Sequence, residues 1–478
     1  MRRACLPGNR CLGRGPLALI VVGALALGEL IGLLVINRIN PSPVPGSSPP
    51  SSPQQRRVNS AVPVDEEVTP AGGARGVHIL DLLVQRTPFK FDEDAIELDA
   101  SRKYKIARSF LSPDADFGSP DAGEVCLATQ SSLDRLHTLV ELAQLWNGPL
   151  SLAVFVASAA QFQALRAYLA LLRSCSEPVR ANVRVDLVFP VGVNVTRAVP
   201  WSTRGGGGPE FSCSSHASLL RTLHASGGAR VIRGSVKQML YPQNHLRNVA
   251  RDGCSPQKYF FVVDIDVMPK PGLWDELSDF LASANSGRRL PCAKCVFVVP
   301  TYEAREMVAV PRTKRELLAM VHRREARPFH EKSFVFNQYA TNHAAWEALP
   351  HSEDGLHAAY RVQRYEFFYE PFYVAGKDVP RYDESVSRHC ADSVFDWSYP
   401  LLGNLQVYET HAAGFEFWVL DEAFALHRGM QNHRARGYWR ERQNTLNQRK
   451  LAGFKRDVKR KYLVTRTTLP PATKPPLL

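Results

Sequence analysis

Several absences narrow this sequence before anything present in it is weighed. No stretch interleaves Lys and Arg with aromatic side chains, so a nucleic-acid groove has no support, although the formal net charge is +13. No internal repeat runs along the chain, which leaves a solenoid unsupported. Cys292-Ala-Lys-Cys295 has no second Cys-x-x-Cys to complete a zinc ribbon, and no EF-hand spacing occurs. Asn194-Val195-Thr196 is the only N-glycosylation sequon. Long apolar runs are equally scarce, and the one that exists lies at the start.

That run, Leu17 to Ile36, is long enough to cross a bilayer as a helix and contains one charge, Glu29. Arg2, Arg3, Arg10 and Arg14 precede it and Arg38 follows, a bias that keeps the N-terminus cytosolic and puts the rest of the chain across the membrane. A cleaved signal peptide ending near Ala24-Leu25-Ala26 is the competing reading, but apolar residues continue beyond it. The next segment is rich in Pro, Ser and Gly, cannot bury a core, and reads as an extended stem. A short tail, an anchor and a stem are the usual build of a Golgi-resident, single-pass type II enzyme. The expected divisions are a cytoplasmic tail at 1–16, a signal anchor at 17–36, stem and linker at 37–109, a folded domain at 110–463 and a disordered tail at 464–478. Ser202 to Gly208 looks like a mobile loop.

The whole chain has 478 residues, 45% hydrophobic and 22% charged, an ordinary globular composition. The basic excess favours anionic ligands such as nucleoside diphosphates, although much of it belongs to solvated surface such as the Arg434 to Arg449 stretch. Of the nine cysteines, Cys5 and Cys11 would be cytosolic and the other seven would meet an oxidising lumen. Seven is odd, so at least one is left over. Cys292 with Cys295 reads as a disulfide, and Cys175 with Cys213 is the next pair expected.

The folded region opens as a βαβ unit. Val125 to Thr129 is a short strand, Ser131 or Ser132 can cap a helix carrying Leu133, Leu136, Leu139, Val140 and Leu145, and Asn147-Gly148-Pro149 breaks it. Leu150 to Ala157, a helix from Gln161 to Arg173 and Val183 to Phe189 continue the alternation, which predicts an α/β fold with a parallel or mixed sheet. Ligands of such sheets bind at the carboxyl ends of strands, so residues around Thr129 and Gln130 are candidates for nucleotide contact.

The sharpest local signal is Tyr259-Phe-Phe-Val-Val-Asp-Ile-Asp-Val-Met268. Alternation along the strand puts Asp264 and Asp266 on one side and Ile265 on the other. Two carboxylates so placed repel unless a cation sits between them, and hard oxygen ligands suit Mg²⁺ or Mn²⁺. The ion can also hold substrate phosphates. Taken alone, an Asp-x-Asp often marks a solvated turn. His427, after another apolar stretch, is a candidate third ligand that could equally be structural.

Five segments carry more weight together than any Asp-x-Asp. They are LATQSSLDRLHTLVELAQLWNGPLSLAVFVAS, YPQNHLRNVARDG, FVVDIDVMPKPGLWDEL, EPFYVAGKDVPRYDE and ETHAAGFEFWVLDEAFALHRG. Through them the region from about Val125 to His427 resembles glycosyltransferase family 49. The resemblance implies a GT-A fold, in which a Rossmann-like mixed sheet is flanked by helices. It implies an inverting, Mn²⁺-dependent transfer of glucuronic acid from UDP-glucuronic acid. The acceptor would be a glycoprotein glycan, a β-xylose-terminated O-mannosyl chain of the α-dystroglycan type. The family's metal-binding Asp-x-Asp falls on Asp264 and Asp266 and its late His-x-Gly on His427 and Gly429. Arg247 and Asn248 lie in its Asn-x-x-Arg-Asn stretch and join Thr129 and Gln130 as expected donor-binding residues. An inverting transfer needs a general base, and Asp383, Glu384 and Glu370 are the candidates. Gln130 stands where the family has His, and a segment of its own follows Glu384. A different donor on the same fold, UDP-N-acetylglucosamine or UDP-xylose, and a non-catalytic scaffold are therefore the alternatives. A homo-oligomer, or a complex with other Golgi glycosyltransferases, completes the expected partners.

Overall fold

The strand Val125–Ser132 is buried on both faces, and that double burial sets the layering. Val125 and Leu127 face one apolar cluster with the helices Leu139–Trp146, Ala159–Cys175 and Leu273–Asn285. Cys126 and Ala128 face the other, with the helix Gln243–Gly253. A strand covered on both sides needs apolar residues at every position rather than every second one. The computed structural model describes residues 75–119, 122–197, 213–226, 240–285, 290–352, 355–384, 388–389, 403–431 and 451–462, all within one unit, Ala71–Leu478. The apolar run 17–36, the Gly-rich stretch 202–208, Cys390 and the tail from 464 lie outside them. Among the described residues no helix is long and apolar enough to cross a membrane.

The central sheet has ten strands. In spatial order they are Glu97–Leu98, Tyr104–Leu111, Val183–Pro190, Leu150–Phe155, Val125–Ser132, Tyr259–Val262, Phe372–Gly376, Cys295–Val299, Glu416–Asp421 and His357–Arg361. The four from Val183–Pro190 to Tyr259–Val262 run parallel, and antiparallel pairings on either side make the sheet mixed. Tyr104–Leu111, placed in the linker by composition, is thus a strand of this sheet, because its buried residues pair with Val183–Pro190. A second, four-stranded sheet follows the order Ala326–Pro328, Thr301–Ala304, Ala425–Arg428, Val267–Pro269.

The βαβ opening differs from its expectation in two details. The first strand runs to Ser132, and the segment after it begins as a 3-10 turn, Leu133–Thr138, before the α-helix. Neither serine caps it: Ser131 Oγ donates to the Ser132 carbonyl, and Ser132 Oγ donates to Asp134 at 2.5 Å. Asn147 ends the helix with φ 52°, and Gly148 follows because a Cβ there would lie 2.4 Å from the Trp274 ring. Further along, Ser158 accepts from the Gln161 N–H while Gln161 accepts from the Ala157 N–H, a reciprocal cap that fixes the start of Ala159–Cys175.

Among the described residues three disulfides are formed. Cys175–Cys213 and Cys292–Cys295 are the expected pairs. Cys126–Cys254 was not foreseen: it ties the central strand to the residue that ends the helix Gln243–Gly253.

Candidate active site

Two sheets meet where Tyr259–Val262 ends. The strand stops at Val262, and the Val267 N–H bonds the Asp264 carbonyl at 2.9 Å, so Asp264-Ile265-Asp266 is a turn rather than a continuing strand. The carboxylates are therefore not stacked on one strand face. Ile265 does point into the core, at 3% exposure, and the two aspartates part around it. Asp264 reaches toward the helix Gln243–Gly253, where its Oδ1 accepts from Arg247 Nη2 at 3.1 Å and from Gln130 Nε2 at 3.3 Å. Asp266 reaches the other way, and its Oδ2 lies 2.6 Å from Arg135 Nη1 and 3.7 Å from His427 Nε2.

His427 comes close because Ala425–Arg428 pairs with Val267–Pro269 in a register that sets it opposite Val267, one residue from Asp266. Its Nδ1 lies 3.1 Å from the Gly429 carbonyl. A carbonyl can only accept, so Nδ1 carries the hydrogen and Nε2 is the atom turned to Asp266. Gly429 has φ 97°, a conformation that side chains resist, and this lets the chain fold its carbonyl back onto the imidazole. The His-x-Gly spacing thus has a local mechanical reason. Burial opposes the charge on His427, but Asp266 and Glu303 outweigh it and raise its pKa. Burial likewise opposes the charge on Asp266, yet His427 and Arg135 hold its pKa below the usual carboxylate range. Burial raises Glu303, in register with His427, against the lowering effect of Arg327.

An ion about 2.1 Å from each donor separates adjacent ligands by about 3 Å and opposite ones by about 4 Å. The 3.7 Å between Asp266 and His427 lies within that span. An imidazole oriented through its other nitrogen is the arrangement in which metal-bound histidines occur. Asp266 and His427 fit a shared divalent cation, and Asp264, paired here with Arg247 and Gln130, would complete the set only by leaving them.

Asp264 and Arg247 line a cleft together with His330, Asn337, Glu370 and Tyr382. Burial works against the Arg247 guanidinium, but Asp264, Tyr382 and Glu370 offset it and its pKa is raised. Asn337 Nδ2 donates to Glu370 Oε2 at 3.2 Å, and the Glu370 N–H bonds the Asn337 carbonyl at 2.9 Å. Glu370 is thereby held on the cleft wall. Gln130 donates to Asp264 and also accepts from the Tyr241 hydroxyl. Thr129 is 1% exposed and its hydroxyl makes no hydrogen bond.

The other expected residues stand elsewhere. Asn248 donates to the Tyr382 carbonyl at 2.9 Å and to Glu384 Oε1 at 2.8 Å, and its oxygen accepts from the Tyr382 N–H. With both ends of its amide spent, it fastens a loop. The Asp383 carbonyl accepts from Asn244. Glu384 belongs to a separate cluster in which the ligand atoms of Asp99, His245 and Glu384 all lie within 4.8 Å of one another, a possible metal-binding triad. Residue spacing gave no sign of it, because its members come from three distant segments. Arg135 was also passed over, although the Asp-Arg in SSLDRLHTL offered a charge close to the first strand.

Comparison with known proteins now bears on this geometry. The family described as "Glycosyl-transferase for dystroglycan", glycosyltransferase family 49, matches residues 124–463. The chain belongs to this family. Beta-1,4-glucuronyltransferase 1 of Homo sapiens is 33% identical over 369 residues, covering 76% of this chain and 81% of the relative. The Danio rerio protein of that name is 29% identical over 370 residues, with the same coverage. Xylosyl- and glucuronyltransferase LARGE2 of Homo sapiens is 29% identical over 310 residues, covering 64% of this chain and 33% of that relative. The family match spans the cleft, the aspartate turn and His427, so the site described here lies within the glycosyltransferase domain.

Proposed function

We propose that this protein transfers glucuronic acid from UDP-glucuronic acid to a β-xylose-terminated O-mannosyl glycan, with inversion and with Mn²⁺ held by Asp264, Asp266 and His427. The observation that carries the reading is the convergence of Asp266 on His427 at 3.7 Å beside a cleft lined by Asp264, Arg247 and Glu370. When bound, Mn²⁺ would offset charge on the departing nucleoside diphosphate. Arg247 is the donor-side cation, and its planar fork suits a sugar carboxylate or a phosphate. Glu370, kept in place by Asn337, takes the proton from the attacking acceptor hydroxyl. Asp383 and Glu384 do not line this cleft, which favours Glu370 over both.

The N-terminal apolar run and the stem support a catalytic domain in the Golgi lumen. Three disulfides among the described residues agree with an oxidising compartment. So does the sequon, whose Asn194 is exposed.

A second reading keeps the site and changes the sugar. It is favoured by Gln130, which stands where the family has His and touches Asp264 directly. A panel of UDP-sugars offered to the purified full-length chain, with and without Mn²⁺, separates the two. Turnover of UDP-glucuronic acid that needs Mn²⁺ supports the first reading. Exclusive use of UDP-N-acetylglucosamine or UDP-xylose supports the second. No turnover of any donor, with the protein folded, favours a scaffold.

A further inference from the structure

His245 is buried to 3% exposure, and neither of its ring nitrogens makes a hydrogen bond. Yet its Nε2 lies 3.2 Å from Asp99 Oδ2 and 3.7 Å from Glu384 Oε2. A buried ring nitrogen so close to two carboxylate oxygens and bonded to neither calls for a physical reason. An imidazolium pairing with a carboxylate puts the oxygen on the N–H axis. Adjacent ligands of one cation are arranged otherwise: they sit about 3 Å apart, and each is displaced by about 45° from its neighbour's lone-pair axis. Close approach without hydrogen-bond alignment is what the second arrangement produces.

We propose that Asp99, His245 and Glu384 bind a second divalent cation of the Zn²⁺ or Mn²⁺ class, whose role is to fasten the fold rather than to act on substrate. One imidazole and two carboxylates are a donor set of borderline hardness, suited to either ion. The ligands come from three segments. Asp99 lies in the turn before the strand Tyr104–Leu111, His245 in the first turns of the helix Gln243–Gly253, and Glu384 after the Arg381-Tyr382-Asp383 segment. The ion would join the early chain to the loop that closes over the helix.

The donors are prepared for this role. Glu384 is steered by Asn248, which bonds its other oxygen at 2.8 Å. Asp99 is fixed by the backbone N–H groups of Lys103 and Tyr104 at Oδ1 and by that of Ser101 at Oδ2. The Ser101 hydroxyl also rests on Oδ2. A hydroxyl rotates freely, so it can yield a lone pair to an ion. Glu384, a candidate base by sequence, is on this reading a ligand.

The test must be blind to the ion expected at Asp266 and His427. Full-length chain carrying Asp266→Asn and His427→Ala is dialysed against Zn²⁺ alone or Mn²⁺ alone, and bound metal is counted by atomic emission. One ion per chain is expected, together with a higher unfolding temperature in its presence. Adding Glu384→Gln, which keeps the volume and the contact with Asn248, should weaken binding by at least about tenfold; adding His245→Gln should abolish it. If His245→Gln does not fold, the Glu384→Gln comparison decides alone. A chain that binds neither ion overturns the proposal, as does binding that survives Glu384→Gln unchanged. Neither result touches the glycosyltransferase reading, which uses the other site.

Discussion

At the scale of single residues, the proposed chemistry separates side chains that sequence patterns treat alike. Asp266→Asn keeps the shape of the turn but removes a ligand charge facing His427. On the proposed function kcat should fall by more than about 100-fold, with little change in unfolding temperature. Glu370→Gln should lower kcat by about 10²–10⁴, whereas Asp383→Asn, whose backbone carbonyl makes the contact to Asn244, should stay within a few-fold of wild type. Steady-state kinetics on the three variants checks the assignment, and equal losses at Asp383 and Glu370 would refute it. The Asp-x-Asp pair stood out from the sequence itself, whereas His427 and Gly429 were singled out only through the resemblance to the family's late His-x-Gly. In the structure each aspartate has an arginine of its own, and the positive φ of Gly429 turns its carbonyl onto the histidine two residues before it. The choice among Asp383, Glu384 and Glu370 was not legible, since three acids in loops look alike until a cleft distinguishes them.

At the scale of elements, the helix Gln243–Gly253 is the part that sequence reading understood least. Its Asn-x-x-Arg-Asn stretch was expected to face the donor, and only Arg247 lines the cleft. Asn244, Asn248, Arg251 and Asp252 instead hold the loop from Lys377 to Glu384. Arg251 donates to the carbonyls of Lys377, Val379 and Pro380 and lies over the Phe260 ring at 4.4 Å. Burial of this guanidinium lowers its pKa, and removing it would take this donor from the carbonyls of Lys377 and the buried Val379, while Pro380 keeps Gln406. Arg251→Ala should therefore destabilise the protein by about 3–5 kcal/mol in urea unfolding, with Arg251→Lys recovering only part. A loss under ~1 kcal/mol would mean that the loop is held by other contacts. The helix is amphipathic yet buried on nearly every side, so its polar face reads as solvated until its partners are in place.

At the scale of the whole molecule, two long-range features govern stability. The Cys126–Cys254 disulfide joins cysteines 128 positions apart and ties the central strand to the end of the helix Gln243–Gly253. Replacing both cysteines by Ser should cost about 3–5 kcal/mol in denaturant unfolding, by the chain-entropy argument. His343 supplies a pH dependence. Burial lowers its pKa from 6.5 to about 4, against the raising effect of the Thr301 carbonyl. The unfolded chain then binds a proton that the folded chain refuses, so stability is fully present above pH 6.5 and is lost as pH falls toward 4. Between pH 7 and 5 the native protein should lose about 2 kcal/mol more than His343→Gln does; parallel pH profiles for the two proteins would overturn this. The sequence by itself determined the α/β alternation, the Asp264 and Asp266 pair and the Cys292–Cys295 disulfide, because each follows from periodicity or from neighbours a few residues apart, and the family, because its motifs recur in order along the chain. Only the tertiary structure decided that His427 meets Asp266, that Glu370 shares a cleft with Asp264, and that Asp99, His245 and Glu384 converge. Those contacts join segments far apart in the chain, and it is sheet register, not spacing in sequence, that sets which atoms come within reach.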